Sequence, residues 1–173
     1  MLSQDPRVSQ SELSNRLKIS QPAVSARMNK LEKEAVLTHI VGTDVKKTTL
    51  FLAKLDILTD NVEEILKFLD KCPLYFNSFL TSGRFNMTVL LIGENIRSIM
   101  SCVDSHLRKN LPIKNLEFDL IVTPARSLIV PIKPNMEKKN VNTCGVDCSK
   151  CALYTHDRCL GCPVSLHYKG NLL

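Results

Sequence analysis

Between Thr48 and Val122 the apolar residues alternate between strand-like and helical spacing, in an order few folds can accommodate. Thr48 to Ile57 is a β-branched and apolar run that reads as a buried strand. Asp60 with Glu63 forms a capping-box signal, and Val62, Ile65, Leu66 and Leu69 follow at helical spacing until Cys72 and Pro73 stop the helix. Leu74 to Thr81 and Phe85 to Ile92 read as two strands joined by a turn at Ser82, Gly83 and Arg84. Ile96, Ile99, Met100, Val103 and Leu107 define a second amphipathic helix, closed by Asn110, Leu111 and Pro112. Leu116, Phe118, Leu120 and Val122 then alternate with Asn115, Glu117 and Asp119 in a fourth strand. The order β-α-β-β-α-β is the ferredoxin-like arrangement, an antiparallel sheet backed by two helices. Leu128 to Ile132 is expected to add a short edge strand, since Pro131 suits an edge. The chain is therefore α+β, with this domain over residues 48–132.

Ahead of it, Ser9 and Ser11 precede a short helix carrying Leu13 and Leu17. A break at Lys18 and Ile19 follows, then Ser20 as N-cap and Pro22 in the first turn of a helix from about Gln21 to Glu34. Val24, Met28 and Leu31 make one buried stripe. Two short helices joined by a tight turn form a helix-turn-helix. The face opposite the stripe carries Pro22, Ala26, Asn29 and Lys33, flanked by Ser25 and Lys30, with Gln21 and Arg27 at its edges. Small residues permit close approach to a groove, Asn29 can bond a base edge, and the lysines suit phosphates. An amphipathic pair with a solvated polar face is the plainer alternative. Charge supports the nucleic-acid reading. Residues 1–47 hold eight Lys/Arg against five Asp/Glu, residues 48–125 eight against nine, and residues 126–173 seven against three. The net charge of +6 therefore sits at the two ends.

Residues 133–173 open with a polar linker and end in a run of five of the chain's seven cysteines: Cys144, Cys148, Cys151, Cys159 and Cys162. The chain has no signal-peptide layout and no apolar run near the ~20 residues that span a bilayer. A cytoplasmic location is expected, where thiols stay reduced and such a cluster binds metal rather than forming disulfides. The pairs Cys148/Cys151 and Cys159/Cys162 each present two sulfurs from one turn, with Gly145 and Gly161 supplying the positive φ such turns need. Four of the five suffice for tetrahedral zinc or for an iron–sulfur cubane. The short gap between pairs and the Cys162–Pro163 ending favour a [4Fe–4S] cluster narrowly over zinc. His156 lies in the gap and reads as an exposed loop residue. Cys72 and Cys102 read as inert packing residues.

The stretch from Asp5 to Glu34 closely resembles the winged helix-turn-helix of the Lrp/AsnC (feast/famine) regulators. The matching features are the Asp5-x-Arg7-x-Ser9 entry, the Leu13, Leu17, Ile19, Ser20 turn, and a recognition helix with Val24, Arg27, Met28, Lys30, Leu31 and Glu32. The family continues with Gly-Val-Ile where this chain has Ala35, Val36 and Leu37. Its module also opens with a further helix, where only Met1–Gln4 precede here. The segment that follows resembles the family's RAM domain. That resemblance implies dimers or larger homo-oligomers built through the sheet and a small effector, often an amino acid, at the hairpin turn. The turn motif, roughly Thr-Gly-x-x-Asp, stands here as Thr81, Ser82, Gly83, Arg84, Phe85, Asn86. Asn86 removes the acid that would meet a ligand's ammonium group, leaving Ser82, Gly83, Arg84 and Asn86 as weak effector candidates. The cysteine run resembles small Cys-rich modules of anaerobic archaea and bacteria. The implied function is a regulator that binds double-stranded DNA and has no catalytic residues; the metal module behind it is expected either to respond to redox state or metal, a reading that rests on the adjacency of the two modules, or to be a structural zinc knob. The alternative is an enzyme resembling siroheme decarboxylases, which share the fold. It would need His39, His106, Arg84 and Arg97 to converge.

Overall fold

The computed structural model describes residues 8–38, 40–131, 137–142 and 144–171. Asp5, Arg7, His39, Ile132 and part of the linker lie outside the described residues. The chain divides into two compact units at Val41/Gly42.

The first unit is the helix pair α1 (Gln10–Leu17) and α2 (Gln21–Lys33). Both helices start on serine caps: Ser9 accepts from the Glu12 amide at 3.1 Å and Ser20 from the Ala23 amide at 3.4 Å. Such caps contribute about 1 kcal/mol each by satisfying an amide that the helix leaves orphaned. α1 begins before Ser11, which lies inside it. Its end is set by Lys18, in the left-handed region at φ 54°. Leu13 and Val24 are buried between the helices, while Met28 is half-buried and Leu31 is 38% exposed. The apolar stripe thus weakens toward the C-terminus of α2. That helix ends in a Schellman turn, with Val36 N–H bonded to Leu31 O at 2.9 Å and Ala35 N–H to Glu32 O at 3.0 Å. Ala35 occupies the left-handed position at φ 53°, where helices usually place glycine.

The second unit contains the four-stranded antiparallel sheet, in the order β3 (Tyr75–Leu80), β4 (Met87–Gly93), β2 (Phe51–Thr59), β5 (Ile113–Ile121). With α3 (Val62–Leu69) and α4 (Ile96–Cys102) between strands, this is the ferredoxin-like order expected from the sequence. Ala53, Leu55 and Ile57 of β2 face the helices, opposite Leu91, Val89 and Met87 on β4 and Leu120, Phe118 and Leu116 on β5. Ile65, Leu69, Ile99, Val103 and Leu107 close that core. A Leu→Ala change there costs about 2–5 kcal/mol.

Several expectations shift in detail. The box that starts α3 is Asn61 with Glu64, one residue later than Asp60 with Glu63. Asn61 Oδ1 accepts the Glu64 amide at 3.1 Å and its Nδ2 donates to Glu64 at 3.0 Å. Asp60 instead holds Lys114. The second helix is not one regular element. α4 passes at Cys102 into a π-helical turn, Val103–Leu107, and then a last turn α5 (Arg108–Asn110). Residues 42–47, read from the sequence with the front end, pack in the second unit. β1 (Gly42–Asp44) pairs with β6 (Ile129–Pro131) in a sheet of its own, and Val45 joins Leu52 and Ile92 in a small cluster on the open face of the main sheet. The strand expected around Pro131 thus exists, but it extends β1 and not the edge of the main sheet. Its close approach excludes a side chain at Gly42, whose Cβ would lie 2.5 Å from Val130 O.

The cysteine segment belongs to the second unit and does not trail from it. Leu160 N–H donates to Ser98 Oγ at 3.0 Å, and Tyr168 Oη to Glu94 at 2.7 Å. Ser165 is fully buried. Among its described residues the segment holds little regular structure: a 3-10 turn at Cys148–Lys150, α6 (Ala152–Thr155) and two isolated bridges, Lys139 with Ser165 and Val141 with Asp147.

Candidate functional site

α2 displays Gln21, Pro22, Ala26, Arg27, Asn29, Lys30 and Lys33 to solvent, with Ser25 half-buried at the margin. The spacing that buries Val24 turns these residues outward together. Lys30 meets Glu34 only at 3.8 Å, with both side chains exposed, an ion pair worth well under ~1 kcal/mol that leaves the ammonium able to meet a phosphate. The helix can therefore offer an amide, two lysines and an arginine to a polyanion without first breaking a strong internal bond.

The hairpin turn is differently committed. Asn86 Nδ2 donates to Thr59 O at 2.7 Å, and Asn86 Oδ1 accepts the Thr59 amide at 3.1 Å. A side chain thus completes the ladder between β4 and the end of β2, which needs a group that both donates and accepts. An aspartate could not donate, and this gives asparagine a structural reason to be here. Arg84 is exposed, with Glu117 at 3.7 Å and its guanidinium 5.3 Å from the Phe85 ring centre. Ser82 and Gly83 are exposed, and a Cβ at Gly83 would meet nothing closer than 3.9 Å. These four residues are placed together, but the Asn86 side chain is committed to Thr59 and Arg84 is paired with Glu117.

All seven cysteines line one cavity of about 60 Å³ in the second unit. Five come from the tail; the other two, Cys72, just after α3, and Cys102, at the end of α4, have their sulfurs 4.0 Å apart. Cys72 and Cys102, expected as packing residues, also line the cavity that the cysteine module shares. His106, presented by the π-helical turn one helical step after Cys102, lines the same cavity with Nε2 3.7 Å from Cys144 Sγ. Its Nδ1 is buried without a hydrogen-bond partner among the described residues. The sequence singles out His106 only for the tetrapyrrole alternative and not for the cysteine cavity. The usable signal was the four-residue spacing from Cys102, which places both on one helix face. His156, the histidine the sequence put in the gap, is exposed and bonded through Nδ1 to Ala152 O at 2.7 Å.

The tail sulfurs are held as acceptors. Gly161 N–H points at Cys159 Sγ at 3.4 Å, and Asn142 Nδ2 donates to Cys148 Sγ at 3.2 Å. The amides of Val146 and Val164 do the same for Cys144 and Cys162, two residues back in each case. N–H groups aimed at sulfur from two residues on are the geometry of a metal knuckle, and they stabilise thiolate over thiol. Gly145 at φ 81° and Gly161 at φ 87° provide the left-handed turns that aim them. Burial works in the opposite direction. It raises the Cys144 thiol and pushes Cys162 up to about 12. The hydrogen bond with Cys72, then burial, raise Cys102. Burial, then the charge of Lys109, lower His106 and keep the imidazole neutral. Burial thus favours the neutral thiols of Cys102, Cys144 and Cys162, beside a neutral imidazole. Among the described residues no three His, Cys, Asp or Glu side chains are gathered closely enough to hold an ion as they stand. At about 60 Å³ the cavity is small beside the roughly 300–1,000 Å³ of drug-sized ligand sites, which speaks against a tetrapyrrole as occupant.

Residues 1–36 match the family model for a winged helix-turn-helix DNA-binding domain. An HTH-type transcriptional regulator of Pyrococcus abyssi, itself uncharacterised, is 26% identical over 126 residues, 67% of this chain and 78% of the relative. Solved structures with the same fold include AsnC of E. coli, with a TM-score of 0.64 at 14% identity over 77% of this chain and 91% of that one. LrpC of B. subtilis has a TM-score of 0.60 at 19% identity, over 72% and 89%. A Neisseria meningitidis transcriptional regulator in complex with L-Met has a TM-score of 0.62 at 13% identity, over 76% and 90%. Among the described residues no helix is long and apolar enough to cross a membrane.

Proposed function

We infer that this chain, an Lrp/AsnC-type regulator by its winged helix-turn-helix and its sheet order, reads operator DNA through α2 and carries a thiolate metal centre in its C-terminal segment. The observation that carries the DNA reading is the exposed face of α2, where Asn29, Arg27, Lys30 and Lys33 stand together on a helix whose opposite side is buried. Two copies related by a two-fold axis would bring two such helices to successive major grooves. The open face of the sheet, where Phe79 is 52% exposed, supplies the surface for that pairing. The work is done in the cytoplasm, beside the chromosome and in reducing conditions that keep thiols available to metal.

The convergence of the tail cysteines on one small cavity, with N–H groups aimed at their sulfurs, supports the metal centre. Zinc and a [4Fe–4S] cluster share this thiolate chemistry. Loss of the metal would release the tail from the sheet domain, because ligand thiolates and local fold are coupled. That is the step by which the centre would report redox state or metal supply. An amino-acid effector at the hairpin would have to act without Asn86, whose amide is committed to Thr59. An enzyme of the siroheme-decarboxylase kind is not favoured, since Arg84 is at the hairpin, Arg97 is exposed on α4 and His106 lines a cavity too small for a tetrapyrrole.

The test selects duplexes from a random library with the anaerobically purified chain, then measures affinity across salt concentrations. Specific binding with a negative salt slope is expected, and Lys33→Ala should reduce the slope by about 1. Binding that ignores sequence, or none, would overturn the DNA reading. Iron, zinc and sulfide analysis of the same preparation names the metal. Equal DNA affinity of loaded and chelated protein would reject the sensing role while leaving the DNA reading intact.

A further inference from the structure

We propose that the cavity holds two metal sites, and that the second takes its donors from both the sheet domain and the tail: Cys72, Cys102, His106 and Cys144. The inference rests on the reading of the tail as a metal module and goes beyond it. The two Cys-x2-Cys knuckles, Cys148/Cys151 and Cys159/Cys162, supply four thiolates and so complete one four-coordinate site by themselves. Cys144 is then left over. It faces His106 across 3.7 Å, and on the same cavity the Cys72 and Cys102 sulfurs are 4.0 Å apart. These separations are close to the edges of a tetrahedron around zinc. Bonds of about 2.3 Å to sulfur and 2.0–2.1 Å to nitrogen give edges of roughly 3.8 Å between sulfurs and 3.5 Å between nitrogen and sulfur. Each pair can span one edge, and a side-chain movement that brings the pairs together would complete the polyhedron.

The backbone around these donors is arranged for such a role. Cys102 and His106 are four residues apart on one helix, and the intervening segment is a π-helical turn, a distortion that recurs at functional sites. Without that distortion a regular helix would bring His106 round to a different angle. His106 is half-buried, and the ring nitrogen it presents to Cys144, Nε2, is the one that would bind the ion. In binding Zn²⁺ the three thiols release three protons to solvent and the imidazole binds through a neutral nitrogen. The resulting Cys₃His centre carries one negative charge, and Lys109 is near enough to His106 to influence it electrostatically. The site would pin α4 and the end of α3 to the tail, which the knuckle site alone cannot do.

The test is a titration of the full chain, made metal-free with chelator under anaerobic, reducing conditions, with Zn²⁺ and Co²⁺. The wild type is expected to take up two equivalents, the Co²⁺ spectrum developing in two phases with distinct d–d bands for an S₄ and an S₃N site. Cys102→Ser and His106→Gln should each reduce uptake to one equivalent and remove the S₃N band, while Cys159→Ser removes the S₄ band. His106→Gln keeps a half-buried polar side chain of similar size, so it serves as the readout if Cys102→Ser does not fold. Uptake of one equivalent by the wild type, or two by both Cys102→Ser and His106→Gln, overturns the second site. If Cys159→Ser also leaves uptake unchanged, the tail reading itself falls, a result distinct from loss of the second site alone.

Discussion

The two ends of the chain carry function in opposite ways. α2 turns its working residues outward, each exposed and almost independent of its neighbours. The tail turns its cysteines inward onto a cavity that they share with Cys72, Cys102 and His106, and as a proposed metal centre they would act only together. A surface that acts by display should lose function in small, separable steps. A centre that acts by convergence should fail as a unit, because its fold and its ligands are coupled.

Removing metal is the harshest way to test that contrast. Chelation is expected to abolish amide-exchange protection across 137–171 while leaving α1 and α2 protected, and exchange mapped by mass spectrometry would reveal it. Loss of protection in both regions, or in neither, breaks the comparison. Asn86→Asp probes a residue that the fold uses twice. It removes a donor and sets a carboxylate against Thr59 O, so about 2 kcal/mol of stability should be lost, read from the denaturant midpoint. Asn29→Ala should weaken operator binding by about 1–3 kcal/mol with unchanged thermal stability, as measured by titration of the selected duplex. A fall in melting temperature instead would mean that Asn29 serves the fold.

Smaller effects sharpen the same distinction. Ala35→Gly relieves a Cβ at φ 53° and should stabilise the helix pair by up to about 1 kcal/mol, with the cysteine cavity unaffected. Asp44 offers a pH test in the second unit. The Ser127 hydroxyl, helped by the Lys46 and Leu128 amides, holds its carboxyl below the ordinary 3.8. A depressed folded pKa contributes stability above the unfolded value, which is lost as pH falls through the folded one. Asp44→Ala should therefore lower the melting temperature slightly at neutral pH, and the difference should close below about pH 3.8. A gap that persists in acid would mean that the loss comes from the missing side chain and not from its charge.

Much of this was legible beforehand because it depends on local period. The β-α-β-β-α-β order follows from where apolar residues recur at two or at 3.6, and the sheet keeps that register from Ala53 to Ile57. The serine caps, the outward face of α2 and the left-handed Gly145 and Gly161 are equally local. Local signals failed where two groups competed for one role. Asn61 displaced Asp60 as the cap of α3 because Asp60 is taken by Lys114, fifty-four residues away. Residues 42–47 read as part of the front end, yet β6 draws them into the second unit through a pairing no short window contains.

The sequence by itself determined the elements, their order, the display face of α2 and the presence of a thiolate module, since each is written in spacing and residue type over fewer than twenty positions. Only the tertiary structure decided that Cys72, Cys102 and His106 share a cavity with that module. Their signal is spread over ninety residues, from Cys72 to Cys162, and becomes a site only when α3, α4 and the tail pack together. The spacing of a knuckle is set by a single turn of backbone. The meeting of three separate segments is set by what each has to bury.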